Sequence, residues 1–350
     1  MPPNVNVTTT TNQFLAEAWV DQVLRDNRFF GEIVKGAERW KGSQMLMPMK
    51  YQKGVATVAF NGFDELPINQ IPTTVNMFFY PSFAATNVAL SGTDISVNKN
   101  EGNGTLKTID LMITQTKSRA QDAADDWGNY FQGDGSADNG KAPMGLAGIV
   151  DDGSDLSQYG GLSRATYSGL NASVVAASGG TFTLLQLRQL WNNISDGSIE
   201  PNFAITDYNT WALVENTFSP IQRNMMTSFE ASKMMAPQTA SLSGYADLVW
   251  DGIKVLRDKK TASGVLYLLN LDYLKWYGLK WYEGTAISLK TNDIVGNVYE
   301  DSMYDVPIFS WTGWIKAYNG AALNGFVIAG GQLICNDPFR QGKLTGITTS

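Results

Sequence analysis

The 350-residue sequence contains no histidine and a single cysteine, Cys335. Histidine titrates nearest to neutral pH, and histidine and cysteine are the usual ligands of transition metals. Their scarcity removes many classes of enzyme and of metal site. One cysteine also excludes an intramolecular disulfide. Because Cys335 ends a largely apolar run that begins at Phe326, we predict a buried, reduced thiol.

Charge and long apolar runs are also scarce. Only 17% of the residues are charged, the net charge is -7 and the pI is near 4.8, which argues against a protein that grips nucleic acid through clustered Lys and Arg. No window approaches the roughly 20 apolar residues of a membrane span, and residues 1–6 lack the features of a secretory signal. We therefore expect a protein in solution, whose 43% hydrophobic residues can form one large core or two adjoining ones.

Two short motifs resemble phosphate-binding and nucleophilic sites. Gly135–Lys141 reads GSADNGK, but Ala142 stands where a Ser or Thr should hold magnesium, and a predicted helix precedes the motif where a strand is required. Ser96–Lys99 has the Ser-x-x-Lys spacing, but it lies in a polar stretch and not at a helix start. We predict an ordinary surface loop and a chance match.

Two other features suggest ligands. Asp151, Asp152 and Asp155 resemble the start of a calcium loop, but Leu162 occupies the position of the required glutamate, so we predict a solvated turn. The 10 tryptophans suggest a carbohydrate platform, but most aromatic residues lie at helical or strand spacing beside aliphatic ones, which favours core and subunit contacts. We expect no catalytic residue, no cofactor and no metal.

The first half of the chain alternates helical and extended patterns. Residues 1–10 predict a mobile arm, and a short helix is predicted from Asn12 to just before Gly31. A strand is predicted at Gln44–Tyr51, followed by a long hairpin to about Leu90 with β-favouring pieces such as Val55–Phe60 and Thr74–Tyr80. Such a hairpin is marginal alone and needs a neighbour to lie against.

The longest helical signal runs from Thr105 to Phe131 and stops at Gly133. The second half is mixed. It predicts a helix at Leu184–Asn193 capped by Thr183 and a strand at Asn202–Thr206 before a helix capped by Asp207. It also predicts short strands between Leu248 and Leu274, and two more at Val306–Trp311 and Leu323–Ile334.

Several segments resemble the major capsid proteins of tailed bacteriophages. Gly145–Val150 (GLAGIV) and Tyr159–Arg164 (YGGLSR) resemble the segment after the spine helix of that family. Trp250–Asp258 (WDGIKVLRD) and Gly264–Trp276 (GVLYLLNLDYLKW) resemble its paired strands, and Gln332–Ile347 (QLICNDPFRQGKLTGI) resembles its closing strand. The resemblance extends from about Gly42 to the C-terminus.

This resemblance implies the α+β capsid fold named for phage Hong Kong 97. The expected division is an N-terminal arm and short helix in residues 1–43, then an extended loop, the β-hairpin, in 44–100. A peripheral domain with spine helix 105–131 would occupy 101–200, and a mainly axial domain 201–325. Residues 326–350 would form a C-terminal strand returning to the peripheral domain.

The implied function is a structural subunit, not an enzyme, that self-assembles into hexamers and pentamers of an icosahedral shell around double-stranded DNA. The implied partners are copies of the chain, a separate scaffolding protein, a portal and a cement protein, with no membrane and no sequence-specific DNA contact. The expected location is the virion, assembled in the cytoplasm of the bacterial host. Some relatives carry a long scaffolding extension before the arm, whereas this sequence begins almost directly at the arm, which implies either a separate scaffolding protein or a chain that has already been processed.

The resemblance also indicates residues for assembly. The candidates for contact between subunits, all on the hairpin, are Lys50, Lys53, Phe60, Phe63, Phe78 and Tyr80. Gly102 and Gly104 are the hinge candidates that would let one sequence occupy five-fold and six-fold positions. Some relatives form covalent cross-links, but no partner for Lys50 or Lys53 can be identified, so cross-links are not predicted.

Two other functions remain open on the sequence alone. An encapsulin-like nanocompartment shell would use the same fold to enclose a cargo enzyme. A soluble carbohydrate-binding protein would instead be a monomer that its glycan stabilises.

Overall fold

The computed structural model describes residues 28–66, 68–95, 111–225, 248–279, 285–287, 309–316 and 320–348. Its helices are α1 (Arg28–Lys35), α2 (Leu111–Gln132), α3 (Leu184–Ile194) and α4 (Tyr208–Met225). Short helical turns lie at Ala137–Gly140 and Leu146–Ile149, and 3-10 turns at Ser168–Leu170, Ser178–Gly180 and Pro338–Arg340. None of the helices in the described ranges is both long and apolar enough to cross a membrane.

The strands belong to two large sheets and two small hairpins. They are β1 (Glu38–Arg39), β2 (Met45–Lys50), β3 (Thr74–Phe79), β4 (Ser82–Ser91), β5 (Gln158–Tyr159), β6 (Leu162–Ser163), β7 (Ser173–Ala176), β8 (Phe203–Thr206), β9 (Leu248–Trp250), β10 (Ile253–Arg257), β11 (Leu266–Leu269), β12 (Leu274–Leu279), β13 (Thr285–Ile287), β14 (Phe309–Trp311), β15 (Ile315–Lys316), β16 (Ala322–Cys335) and β17 (Gly342–Thr345).

The seven-stranded sheet is organised around β16, its 14-residue strand. One edge of β16 pairs antiparallel with β4 over ten residues, and the other edge pairs in succession with β15, β14 and β12. β1 lies beyond β12, and β13 lies beyond β14. The six-stranded sheet has the order β7-β17-β11-β8-β10-β9. The hairpins are β2-β3 and β5-β6.

Helix α2 covers one face of the seven-stranded sheet. The apolar stripe that predicts this helix places Trp127 and Phe131 against Trp276 of β12, with ring centroids 5.3 and 5.0 Å apart. All three side chains are buried. The helix ends at Gln132, one residue after the predicted Phe131 and directly before the predicted stop at Gly133. The predicted start at residues 105–110 lies outside the described residues.

Helices α3 and α4 pack on one face of the six-stranded sheet and bury a second apolar core. Both predicted caps are present. The Thr183 hydroxyl accepts from the N–H of Gln186 in a capping box at the start of α3. The Asp207 carboxylate accepts from the N–H groups of Asn209 and Thr210 at the start of α4. The predicted strands at 202–206, within 248–274 and at 323–334 are also confirmed.

Helix α1 corrects a predicted boundary. The glycine at position 31 does not end the helix, which continues to Lys35. Phe29, Phe30, Ile33 and Val34 form a buried stripe, and the packing of this stripe outweighs the roughly 1 kcal/mol cost of an interior glycine. The part of the helix predicted from residue 12 to residue 27 lies outside the described residues.

Arg164 is a buried anchor in the segment that follows α2. Its guanidinium donates to the carbonyls of Gly148, Ile149, Asp151 and Leu170 and is 1% exposed. Burial lowers the pKa of this guanidinium, partly offset by the nearby Asp151 carboxylate. One side chain therefore joins the turn at 146–149 to the 3-10 turn Ser168–Leu170.

The solvated turn predicted for Asp151, Asp152 and Asp155 is wrong for Asp151, which is fully buried. Its carboxylate accepts from the N–H groups of Gly153 and Leu156 and lies 3.8 Å from the Lys343 ammonium of β17. These donors and the nearby cation replace the hydration that a buried carboxylate loses. Asp152 and Asp155 are exposed, as predicted.

The segment Gly135–Lys141 lies at the surface, as predicted. Five tryptophans of the described residues are core side chains, as predicted for most of the aromatics: Trp40, Trp127, Trp191, Trp211 and Trp276.

The predicted β-favouring piece Val55–Phe60 is not a strand in the structure. Strand hydrogen bonds need a partner strand, and none of the described strands pairs with this segment.

The division of the chain into arm, peripheral and axial domains remains a prediction. Two facts bear on its boundaries. β7 and α3, from the segment 101–200, lie with the six-stranded sheet, and β17 also lies in that sheet, next to β7. β16 lies in the seven-stranded sheet, so residues 326–350 contribute to both sheets.

Cys335 is buried as predicted, and burial raises the pKa of its thiol to about 12. In an unfolded chain the thiol titrates near ~8.5, so between about pH 9 and 12 only the unfolded chain releases this proton. The free energy of unfolding should therefore fall as pH rises through this window.

The measurement is urea unfolding at pH 8 and pH 10. We expect Cys335→Ala to lose about 2 kcal/mol less stability than the wild type between these two values. An equal loss in both proteins would contradict the assignment of the effect to this thiol.

Candidate assembly surface

Exposed apolar side chains are concentrated in one part of the molecule. Eleven of the sixteen large hydrophobic side chains exposed in the described chain lie between residues 46 and 83. They are Leu46, Val55, Val58, Phe60, Phe63, Leu66, Ile68, Ile71, Phe78, Tyr80 and Phe83. Phe63 is fully exposed and Ile68 is 94% exposed. Clustered exposure of this kind marks an interaction surface.

The base of the β2-β3 hairpin is fixed to the rest of the chain. Met77 and Phe79 are buried, and the Phe79 ring meets the Tyr159 ring edge to face with centroids 5.4 Å apart. The Tyr159 hydroxyl in turn donates to the carbonyl of Cys335 and accepts from its N–H. These contacts fix the position of the hairpin base relative to the rest of the chain.

Two consecutive glycines make this close packing possible. Gly160 and Gly161 have positive φ angles of 54° and 72°. The carbonyl of Gly160 accepts from the N–H of Phe78, and a Cβ on Gly161 would lie 2.1 Å from the Phe78 ring. Only glycine fits both this backbone conformation and this distance.

The paired part of the hairpin ends at Tyr51. The Tyr51 N–H donates to the carbonyl of Thr73, and the Tyr51 hydroxyl and the Gln52 amide both donate to the carbonyl of Pro72. The Tyr51 ring also meets the Tyr167 ring edge to face. We call residues 53–71, beyond these contacts, the distal loop.

An uncharged sheet face is a second candidate surface. The 24 residues of β4 and β16 include no Asp, Glu, Lys or Arg. On the face away from α2, the pairing register places Phe83 opposite Gly330 and Phe326 opposite Asn87. Phe83 and Phe326 are exposed there, together with Ala85 and Ala89. We call this surface the uncharged sheet face.

The α2 side of the molecule differs in charge. Asp122, Asp126, Asp134 and Asp138 lie in the second half of α2 and the turns after it. Burial, followed by repulsion from Asp125 and Asp122, raises the pKa of Asp126. A hydrogen bond to Asp138 raises the pKa of Tyr130 to about 12. The α2 side of the molecule thus carries acidic side chains, whereas the opposite face of β4 and β16 carries no charge.

Comparison with known proteins gives structural matches only. No protein-family model and no curated protein sequence matches the chain. The capsid of cyanophage A-1(L) is similar in structure over 96% of this chain and 97% of its own, with a TM-score of 0.74 at 14% identity. The capsid of the empty GTA particle has a TM-score of 0.59 at 9% identity, covering 95% and 94%.

The chain has the Hong Kong 97 capsid fold. The encapsulin SrpI of Synechococcus elongatus PCC 7942 is also similar, with a TM-score of 0.58 at 12% identity over 99% of this chain and 96% of its own. The α+β class and the capsid fold predicted from the sequence are thus confirmed. At these identities the comparison establishes the fold.

Within this capsid fold the predicted contact residues fall into two groups. Lys50, Lys53, Phe60 and Phe63 are exposed at the end of β2 and in the distal loop. Phe78 and Tyr80 lie at the hairpin base, where Phe78 packs over Gly161. Their contacts with another subunit remain a prediction. The hinge candidates Gly102 and Gly104 lie outside the described residues.

Sequence reasoning missed part of the surface. Val55, Val58, Leu66, Ile68 and Ile71 are as exposed as the predicted residues, and Phe326 extends the surface onto the sheet. For the sheet part of the surface the sequence contained a signal, since neither β4 nor β16 has a charged residue. A sheet face that is exposed to water ordinarily carries polar and charged side chains.

The hairpin base gives a stability prediction. Gly161→Ala should lower the free energy of unfolding by about 2–3 kcal/mol, because it adds backbone strain and forces the Phe78 ring out of its position. Gly346→Ala is the matched control, since Gly346 has a φ of 73° and nothing within 4 Å of its Cβ position. The control should cost about 1 kcal/mol. Urea unfolding measures both, and equal losses would contradict the close packing of the hairpin base.

Proposed function

We propose that this chain is the major capsid protein of a tailed bacteriophage, a subunit without catalytic activity that assembles into the hexamers and pentamers of an icosahedral shell around double-stranded DNA. The observation that carries the proposal is the similarity to the cyanophage A-1(L) capsid over nearly the whole of both chains. The concentration of exposed apolar side chains on a hairpin supports it independently.

Within the shell, the distal loop of one subunit lies over the uncharged sheet face of its neighbour. The sheet face carries no charge and the exposed large side chains of the loop are apolar, so their contact removes apolar area from water. The charged residues of the loop, Lys53, Asp64 and Glu65, stay at the edge of the contact, where they keep their hydration. Each large apolar side chain that becomes fully buried contributes about 1.5–3 kcal/mol. Each subunit makes several such contacts, so modest and reversible interfaces add up to a stable closed particle.

The predicted site residues have specific roles in this proposal. Phe60, Phe63, Phe78 and Tyr80 provide apolar contact, while Lys50 and Lys53 provide cations at the edge of the interface. Gly102 and Gly104 provide the hinge between the hairpin side and α2. The arm, peripheral and axial domains are those predicted from the sequence, with the six-stranded sheet formed jointly by strands from 101–200, 201–325 and 326–350.

The other partners follow from the same function. A separate scaffolding protein guides assembly, a portal occupies one vertex, and a cement protein binds the outer surface. The net charge of -7 suits a wall that surrounds DNA without adhering to it. The shell is assembled in the cytoplasm of a bacterial host and becomes part of the virion.

A nanocompartment shell is the second candidate, favoured by the similarity to the encapsulin SrpI over 99% of this chain. Its TM-score of 0.58 is lower than the 0.74 of the cyanophage capsid, so the phage capsid is preferred. The two functions differ in what the shell encloses.

The contents of native particles test the proposal. Particles that contain this chain are sedimented from a lysate of the producing cells, treated with nuclease and opened. A phage capsid predicts protected double-stranded DNA of defined length, together with a portal protein. A protected cargo enzyme without such DNA would overturn the phage proposal in favour of the nanocompartment.

A further inference from the structure

The tripeptide Asn-Gly-Phe occurs in two different settings in the described chain. Residues 61–63 lie in the distal loop, and residues 324–326 lie within β16. The backbone nitrogen of a glycine that follows an asparagine can attack the asparagine side chain, provided that the backbone lets the two groups meet. Because the two tripeptides are identical, any difference in their reactivity comes from their surroundings in the fold.

The first copy forms an exposed turn. The N–H of Asp64 donates to the carbonyl of Asn61 at 3.1 Å, and the Asp64 carboxylate accepts from the N–H of Asn61 at 2.8 Å. Gly62 lies between these contacts with a φ of 49° and nothing within 4 Å of its Cβ position. Its N–H donates to no group in the part of the chain that the structure describes. The nitrogen of Gly62 is therefore available to react.

The hydrogen bond to the Asn61 carbonyl favours this reaction. The carbonyl belongs to the peptide group that joins Asn61 to Gly62, so a donor on its oxygen polarises the group and eases loss of the Gly62 proton. Glycine also has no Cβ to obstruct the approach of its nitrogen to the Asn61 side chain. The turn thus both activates the nitrogen and leaves room for it to move.

The second copy is held in place by strand pairing. Asn324 lies opposite Ile315 of β15 and Ala89 of β4. Gly325 is buried, and a Cβ there would lie 2.1 Å from the Trp311 ring. Attack on the side chain turns the peptide group after the asparagine out of extended geometry. This part of β16 must therefore lose its pairing before the reaction can occur.

A third Asn-Gly pair is exposed but restrained. Asn139 and Gly140 lie in the helical turn after α2, and both are exposed. The N–H of Gly140 donates to the carbonyl of Ser136 at 3.1 Å, so the nitrogen must give up this hydrogen bond before it attacks. Exposure is thus common to the pairs at 61 and 139, and the unbonded N–H distinguishes the pair at 61.

We propose that Asn61 is a site of self-modification, at which the distal loop changes from an amide to a carboxylate. The Gly62 nitrogen bonds to the Asn61 side-chain carbon, the bond from this carbon to Nδ2 breaks, and the Gly62 proton leaves with the amide as ammonia. Water then opens the succinimide ring at one of its two carbonyls. The product is aspartate or isoaspartate with one more negative charge, and no atom is oxidised or reduced.

The consequence for assembly rests on the proposed function, in which the distal loop lies over the uncharged sheet face of a neighbour. The new carboxylate lies between Phe60 and Phe63 in the sequence, two of the proposed contact residues. β4 and β16 contain no Lys or Arg to pair with it, so the charge would lose hydration without gaining a partner. A free subunit therefore becomes less able to assemble as it ages.

Peptide mass spectrometry on the full-length subunit tests the modification without requiring assembly. The folded chain is incubated at mildly alkaline pH, and replacement of amide by carboxylate is followed at Asn61, Asn139 and Asn324. We expect conversion at Asn61 about tenfold faster than at Asn139, the rate equivalent of one hydrogen bond, and none at Asn324.

The unfolded chain is the control for sequence. In guanidinium chloride, Asn61 and Asn324 should convert at similar rates, because their tripeptides are the same and neither is held by the fold. Equal rates at these two residues in the folded subunit would overturn the proposal, and so would an Asn61 that remains unconverted.

Three variants connect the modification to assembly. Asn61→Gln keeps the amide but requires a larger, slower-forming ring, so it should assemble equally well before and after incubation. Asn61→Asp carries the charge from the start and should raise the concentration needed for assembly about tenfold. Asn139→Asp, the matched control, adds the same charge outside the distal loop and should assemble at the wild-type concentration.

The outcomes separate the modification from the proposed function. Assembly of Asn61→Asp at the wild-type concentration would overturn the consequence for assembly. Failure of the fresh wild type to assemble would contradict the proposed function, whereas the conversion of Asn61 is measured on the free subunit and does not depend on it.

Discussion

Replacing Phe60, Phe63 and Ile68 together with serine should abolish shell assembly and leave the subunit folded. The three side chains are 62%, 104% and 94% exposed, so the free energy of unfolding of the subunit should change by no more than about 0.5 kcal/mol. In the shell each would be buried against a neighbour. Their loss should weaken each hairpin contact by about 5 kcal/mol, or three to four orders of magnitude in its association constant.

The matched control replaces the same number of exposed apolar side chains outside the hairpin. Leu185, Val249 and Phe339 are exposed on α3, β9 and a 3-10 turn, and their replacement with serine should permit assembly. Light scattering at increasing protein concentration compares the two triple variants with the wild type. Assembly of the hairpin variant at the wild-type concentration would contradict the role of the distal loop, and so would equal failure of the control.

Arg164→Met should produce the largest loss of stability among single substitutions, about 3–5 kcal/mol. Arg164 donates to four carbonyls, three within residues 148–151 and one at Leu170. Methionine cannot donate a hydrogen bond to any of them. A buried carbonyl that is left without a donor costs more free energy than the hydrogen bond itself contributed to stability.

Arg188→Met is the control for this effect. The Arg188 side chain is 47% exposed, pairs with Asp251 and lies over the Trp250 ring, so its replacement should cost less than about 1 kcal/mol. Thermal and urea unfolding measure the loss of stability in both variants. A loss below 1 kcal/mol for Arg164→Met would show that water replaces the guanidinium and that the segment is not anchored as described.

Local signals in the sequence predicted local structure well. The caps at Thr183 and Asp207 bind amides two or three residues away, so the sequence contains everything that determines them. The C-terminal end of α2 at Gly133 is local in the same sense. The buried stripe of α1 overrode the local signal at the glycine of position 31, because tertiary packing outweighs a single propensity.

Features that depend on distant residues were not predictable. The buried Asp151 carboxylate lies near Lys343 on β17, and the Asp258 carboxylate accepts from the N–H of Phe29, 229 residues away in the chain. The strand predicted at Val55–Phe60 failed for a related reason, since β propensity does not supply the partner strand that a β-strand requires.

For the candidate surface, the sequence predicted the hairpin and six of its exposed residues, Lys50, Lys53, Phe60, Phe63, Phe78 and Tyr80. It did not indicate which strands would share the exposed side of the sheet. That depends on the register of β4 against β16, two strands separated by more than 200 residues. Charge-free strands that are distant in sequence become one surface only when they pair.

Assembly of the chain with copies of itself into closed shells is tested most directly by electron microscopy of the purified chain, with light scattering for size, in the presence and absence of a candidate scaffolding protein. We expect hollow shells, or rings of five and six subunits, without any added ligand. A stable monomer under all of these conditions would contradict it.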